Sequence, residues 1–166
     1  MALPFHALIA TMQKQLFRLA LAMMAGTLMG QAAPPPNYSG TYSFLREGEF
    51  VQITVEDVGK VTGFISRYGD ADNEKDAFLD HFFKAGKLNG SNLTFSTQTV
   101  HGVWFDFKGA FERGDGKTPG EEAYYLLKGT LTRNSTDANQ KTSSTAIEVS
   151  FKSFPESMDA PRQKPD

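Results

Sequence analysis

Through most of the chain after residue 37, apolar residues fall on every second position, the period of a strand with one face in oil and the other in water. The pattern is clearest from Val103 through Phe105, Phe107, Gly109 and Phe111, with Asp106, Lys108 and Glu112 set between them. It recurs in Val51, Ile53 and Val55, in Tyr125, Leu127, Gly129 and Leu131, and in Thr145, Ile147, Val149 and Phe151. Weaker runs at 38–44, 60–68, 80–88 and 92–100 bring the predicted strands to eight. Their separators, such as Arg46-Glu47-Gly48-Glu49, Asp57-Val58-Gly59-Lys60, Asn89-Gly90-Ser91-Asn92 and His101-Gly102, are turn residues. They are too short for crossover helices, so successive strands are expected to pair antiparallel. Longer separators occupy 69–77, 114–121 and 134–143. Phe78, Leu79, Phe82 and Phe83 also satisfy a helical spacing after caps at Asp72 or Asn73, which predicts one short helical turn over 73–79.

An eight-stranded meander that must bury one apolar face with no helix layer to cover it closes on itself most economically. The predicted fold is therefore all-β, a single eight-stranded antiparallel up-and-down (meander) barrel over 38–154. At that strand number the interior is either filled by side chains or just wide enough for one small ligand. The aromatic content, 12% of the chain, supplies bulk for such an interior.

Three stretches carry a family likeness: Gly40-Thr41-Tyr42 in the first strand, the aromatic strand 103–111, and Tyr125-Leu126-Leu127 followed by a polar loop and a last strand ending at Phe154. In these the chain resembles the calycin group, the lipocalins and avidins. The resemblance implies a small exported barrel that binds a hydrophobic or cofactor-like molecule at one mouth. The chain is also similar to uncharacterised secreted proteins of soil bacteria.

The first part of the chain changes the picture of where the barrel works. Lys14 and Arg18 form a positive region, 19–29 a short apolar stretch, and Gly30-Gln31-Ala32 a small-x-small cleavage site, the layout of a signal peptide over 1–33. The charged region begins directly after Met12, which predicts Met12 as the true start. A Pro-rich spacer (34–37) follows, and the polar, aperiodic 155–166 is expected to be a disordered tail. The apolar stretch is too short to span a bilayer, so no stable membrane anchor is expected, and localisation is predicted to be periplasmic or secreted. There is no cysteine, so the exported domain must stand on packing without a disulfide. With Lys14 and Arg18 removed from the 17 basic residues and all 19 acidic ones retained, the remainder is acidic, which argues against a nucleic-acid partner. Four N-x-S/T triplets, at Asn37, Asn89, Asn92 and Asn134, read as turn chemistry in a bacterial product.

Candidate chemistry is sparse. Asp70, Asp72, Asn73, Glu74 and Asp76 give a run of oxygen ligands suited to calcium, with Asp70, Asp72, Glu74 and Asp76 as the candidate carboxylates. The EF-hand pattern fails, because Lys75 and His81 stand where Gly and Glu belong. Gly116-Lys117-Thr118 looks like the end of a phosphate loop, yet Phe111 occupies the position of its first glycine. An acid pair of Asp106 with Glu112 or Glu148 would suit glycoside chemistry, but these alternate with Lys108 and Lys152 as on a solvated sheet face. His81 and His101 lack both a nucleophile elbow and a diagnostic metal spacing. No catalytic residue and no cofactor are assigned.

These readings predict an exported bacterial barrel binding a small, partly apolar ligand without catalysis, through Tyr42, Phe64, Tyr68, Trp104, Phe105, Phe107, Tyr125 and His101. The alternative is a filled barrel serving as a protein-interaction or envelope-structural module, and a third class is a small hydrolase or isomerase. An empty apolar cavity would mark the first, a solid core with a sticky outer face the second, and a polar cluster converging on His81 or His101 in a cavity the third.

Overall fold

The computed structural model describes residues 35–70 and 77–156. Eight strands follow one another: β1 (Gly40–Ser43), β2 (Phe50–Val55), β3 (Val61–Tyr68), β4 (Phe78–Asn89), β5 (Asn92–Thr97), β6 (Val103–Arg113), β7 (Tyr125–Thr136) and β8 (Thr142–Lys152). They form one sheet in sequence order, every neighbouring pair antiparallel. The ends of the sheet meet where Tyr42 bridges Ser153, the Phe154 amide donates to the Thr41 carbonyl at 2.8 Å, and the Lys152 amide donates to Ser43 Oγ at 2.9 Å. The meander is an all-β barrel, as the alternation requires. Among the described residues no helix is long and apolar enough to cross a membrane.

One local expectation is corrected. The helical turn placed over 73–79 does not extend to its end, because Phe78 and Leu79 already open β4, paired with Tyr68 and Arg67. Two strand faces are apolar there, and an apolar pair on each side of a strand mimics the i, i+4 spacing of a helix. Residues 71–76, like 1–34 and 157–166, lie outside the described residues; the leader, the first residue of the spacer and most of the tail are among them.

The inward side chains pack in two layers below the loop-bearing end. At the closed end Tyr38 stacks on Phe111 (centroids 4.3 Å apart) and meets Tyr125 edge-on at 4.9 Å, with Tyr42 tilted against Phe111 at 5.6 Å. Burial pushes the Tyr42 phenol well above its ordinary range, so it stays protonated and donates to the Tyr38 carbonyl at 2.9 Å. Above it, Phe83, Phe95 and Phe107 stack at 4.3 and 5.2 Å. Gly109 and Gly129 face each other across β6 and β7, and a Cβ on Gly109 would sit 2.5 Å from the Phe107 ring, so glycine there makes room for the stack. Tyr42→Phe removes only the buried hydroxyl and leaves a carbonyl unpaired; we expect a loss of about 1 kcal/mol in urea unfolding, with the fold retained.

Candidate functional site

Loops 44–49, 98–102 and 137–141, with the described ends of the β3–β4 connection, gather at the end of the barrel opposite the Tyr38–Phe111 stack. Beneath them the inward register of the strands turns polar. Arg67 follows Val61, Gly63 and Ile65 on the inner face of β3; His81 pairs with Ile65 from β4; Arg133 follows Leu127, Gly129 and Leu131 on β7. Their common floor is Phe105, fully buried, with the Phe44 ring edge-on at 5.7 Å, the His81 ring edge-on at 5.2 Å and the Arg67 guanidinium over its face at 5.6 Å.

Asp70, just past the end of β3, accepts hydrogen bonds from Arg67 and, at 2.8 Å, from Arg133. Strands three and seven of an eight-stranded closed meander stand on opposite sides of the barrel, so Arg67, Asp70 and Arg133 lie as a bar across its mouth. Partial burial pulls the Asp70 carboxyl upward, but the hydrogen bonds and charges of the two guanidiniums outweigh it and hold the group below the usual carboxylate range. Glu49 anchors the rim. Its buried carboxylate accepts from Arg46 Nε at 2.9 Å, from the Arg46 amide at 3.1 Å and from the Tyr68 amide at 3.1 Å, tying loop 44–49 to the end of β3.

His81 is the anomaly. It is 0% exposed, and among the described residues neither Nδ1 nor Nε2 has a hydrogen-bond partner of good geometry. Burial, then the neighbouring Arg67 charge, lower its pKa from 6.5 to about 4 against weaker opposing pulls from the Gln98 backbone, Asp70 and Asp80. At neutral pH it is an uncharged imidazole whose donor and acceptor lack a well-formed partner among the described residues, an arrangement that costs about 1–3 kcal/mol per orphaned group.

The eight side chains singled out for ligand contact do not form one cluster. Phe105 is the floor of the mouth, and Phe107 lies one layer down in the ring stack. Tyr42 and Tyr125 pack at the closed end. Phe64 points outward between Phe50 (5.9 Å) and Phe82 (5.4 Å), and Tyr68 packs tilted against Phe78 at 4.4 Å with Arg46 over its ring. His101 sits in the β5–β6 loop with a φ of 47°. Trp104 lines a groove of about 520 Å³ with Lys84, Ser96, Gln98 and Asp106. That groove is on the outer face, where Asp106 accepts from Ser96 and from Asn134 (2.8 Å), and Asn134 in turn from Ser144 (2.6 Å). Of the proposed calcium ligands, Asp70 is engaged by two guanidiniums, and Asp72, Glu74 and Asp76 lie outside the described residues. Glu112 pairs with Lys128 at 2.8 Å, and Glu148 accepts from Thr130. Arg67 and Arg133 were legible in principle: each is a charge standing in the inward phase of an otherwise apolar strand.

No protein-family model and no curated protein matches the sequence. Among solved structures the chain is similar to rhizavidin, at 12% identity and a TM-score of 0.54 over 75% of this chain and 88% of that one. It is equally similar to the rhizavidin–biotin complex, at 12% identity and a TM-score of 0.52 over 70% of this chain and 99% of that one. Ring-stacked core, sequential antiparallel strands and a loop-bearing mouth together make this chain a calycin-type barrel of the avidin-like fold.

Proposed function

We propose that this protein binds a small, partly apolar molecule at the mouth of the barrel, without catalysis, as an exported bacterial protein of the periplasm or the extracellular space. The observation that carries the reading is His81: a fully buried imidazole with neither nitrogen well partnered among the described residues, next to an aromatic floor and beneath a polar bar. A molecule whose hydrogen-bonding head displaces the covering side chains would satisfy His81 beside the Phe105 ring. The likeness to a barrel solved with biotin supports a mouth-bound ligand in this fold. A catalytic reading is weaker. General-base work needs a nucleophile within hydrogen-bond reach of the base and a group that orients it, and among the described residues His81 has neither in good geometry.

Native mass spectrometry of protein purified from the envelope of its own host tests this. We expect a reproducible small extra mass that is lost on denaturation and absent from the His81→Phe variant. A bare polypeptide mass, unchanged when extracts of the host are added back, contradicts it.

A second reading, an interaction or envelope-structural module, is favoured by one feature. Phe50, Phe64, Phe82, Tyr68 and Phe78 form an aromatic face on the outside of β2–β4, with Phe82 52% and Phe78 48% exposed. Under that reading Phe82→Ser releases the protein from sedimenting envelope material without unfolding it. An unchanged distribution counts against it.

A further inference from the structure

On the outer face of the sheet, two departures from regular pairing open a groove that is separate from the mouth. In β4 the register slips between Phe83 and Ala85, which leaves Lys84 as an extra, unpaired residue. A bulge of this kind re-aims its side chain. The second departure lies between β5 and β6. Ser96 pairs with Asp106 and Val100 with Val103, so residues 97–99 on one arm stand against only 104 and 105 on the other. The Gln98 amide donates to the Phe82 carbonyl at 2.7 Å, while Trp104 stays paired with Asn134 on β7. One arm thus follows β4 and the other β7, and the groove of about 520 Å³ lies where they part. That volume falls within the range of about 300–1,000 Å³ usual for small-molecule sites.

The lining is polar and partly fixed. Of the lining residues only Trp104 is apolar; Lys84 and Asp106 are charged and the rest bear hydroxyls or an amide. The Asp106 carboxylate accepts from Ser96 and, at 2.8 Å, from Asn134, and Asn134, only 6% exposed, accepts in turn from Ser144 at 2.6 Å. This relay holds the carboxylate in one place and uses two of its roughly four acceptor sites. Lys84 and Gln98 bring donors to the same groove, and half-buried Trp104 brings a flat ring with one N–H.

These groups select the guest by chemistry. A hydrocarbon would cover Asp106 and Lys84 without pairing them, which is costly. A charged guest would meet one of those two side chains with like sign. A pyranose avoids both conflicts, because its ring C–H groups form an apolar face and its rim of hydroxyls both donates and accepts. We propose that the groove is a saccharide-binding site, in which the sugar face lies on Trp104, Asp106 accepts from adjacent hydroxyls, and Lys84 and Gln98 donate to others. This site does not depend on the mouth-binding reading.

Trp104 is the single tryptophan of the chain, so its fluorescence reports on the groove directly. Cellobiose, maltose, lactose and N,N′-diacetylchitobiose are titrated into the full protein, with sorbitol as a control that carries hydroxyls but no ring face. We expect a saturable emission shift and protection from acrylamide quenching with at least one of the four sugars, and neither with sorbitol. Asp106→Ala, with the fold intact by circular dichroism, should weaken that sugar about ten-fold, the effect of losing a hydrogen bond to a charged group. Lys84→Ala alters an exposed side chain and should weaken it severalfold, which keeps the test open if Asp106→Ala does not fold. No shift with any of the four sugars, a shift that sorbitol matches, or binding that the folded variants leave unchanged overturns the assignment. So does an emission that moves with protein concentration alone, which would mean that a second copy covers the groove.

Discussion

Phe105→Ala is expected to cost the fold about 3–5 kcal/mol, the usual range for deleting a large aromatic side chain from a packed interior. Phe105 is fully buried and is the ring that Phe44, His81 and Arg67 all lean on. Removing it leaves a void where the surrounding strands are held by hydrogen bonds and cannot collapse, and strips the Arg67 guanidinium of its aromatic support. Its own backbone amide donates to Thr97 Oγ1 at 3.0 Å, a bond alanine can keep, so the loss is one of packing and not of strand pairing. Urea unfolding reads it directly. A loss below about 1 kcal/mol would mean that the floor is not packed as described.

The second large effect is one of pH. The folded state holds His81 with a pKa near 4, whereas the unfolded chain returns it to 6.5. Between those values the unfolded chain binds the proton and the folded chain does not, so protonation favours unfolding. Stability is therefore complete above pH 6.5, falls as pH drops from 6.5 toward 4, and stops falling on this account below 4. At about 1.4 kcal/mol per pH unit, the gap sets a loss of about 3 kcal/mol across that window. Asp70, held below its usual range, contributes only at more acid pH, where it loses the two guanidiniums. His81→Phe puts a ring of similar shape in the same slot with nothing to titrate, and His81→Gln does so with less apolar bulk. In either variant the slope between pH 6.5 and 4 should flatten. A wild-type curve flat over that window would show that the imidazole is solvated or partnered.

The architecture was legible in sequence wherever one face of a strand is oil and the other water. Val103 to Phe111 and Tyr125 to Leu131 have that pattern, and the structure pairs them residue for residue, Gly109 opposite Gly129 and Phe107 opposite Leu131. Short Gly-rich separators left no room for crossovers, so the meander followed. Legibility failed where both faces of a strand are apolar. β3 carries Phe64 outside and Ile65 inside, and β4 carries Phe82 outside and Phe83 inside, so periodicity alone did not fix the phase. For that reason the sequence alone does not show that Phe64 and Tyr68, two of the expected ligand contacts, face outward on the aromatic side of β2–β4.

The site was harder to read because its meaning depends on which end of the barrel is open. Tyr42, Tyr125 and Phe105 look alike as inward aromatics, yet the first two lie at the closed end and the third under the loops. Nothing local to these residues separates the two ends. The useful signal lay in exceptions to the pattern: Arg67, His81 and Arg133 each interrupt an apolar inward series, and a charge or imidazole is placed in a barrel interior at a cost that demands a reason. The Asp70 bridge that joins two of them spans 63 residues of sequence, a contact that only closure of the sheet creates.

The most direct test of the account is a high-resolution crystal structure of the protein isolated from its own host without chemical exchange. Non-protein density larger than a single water is expected between Phe105 and the Asp70–Arg133 bridge, with one atom in hydrogen-bond reach of Nδ1 or Nε2 of His81. An imidazole satisfied by protein atoms or one lone water, over a mouth with no further density, would contradict it.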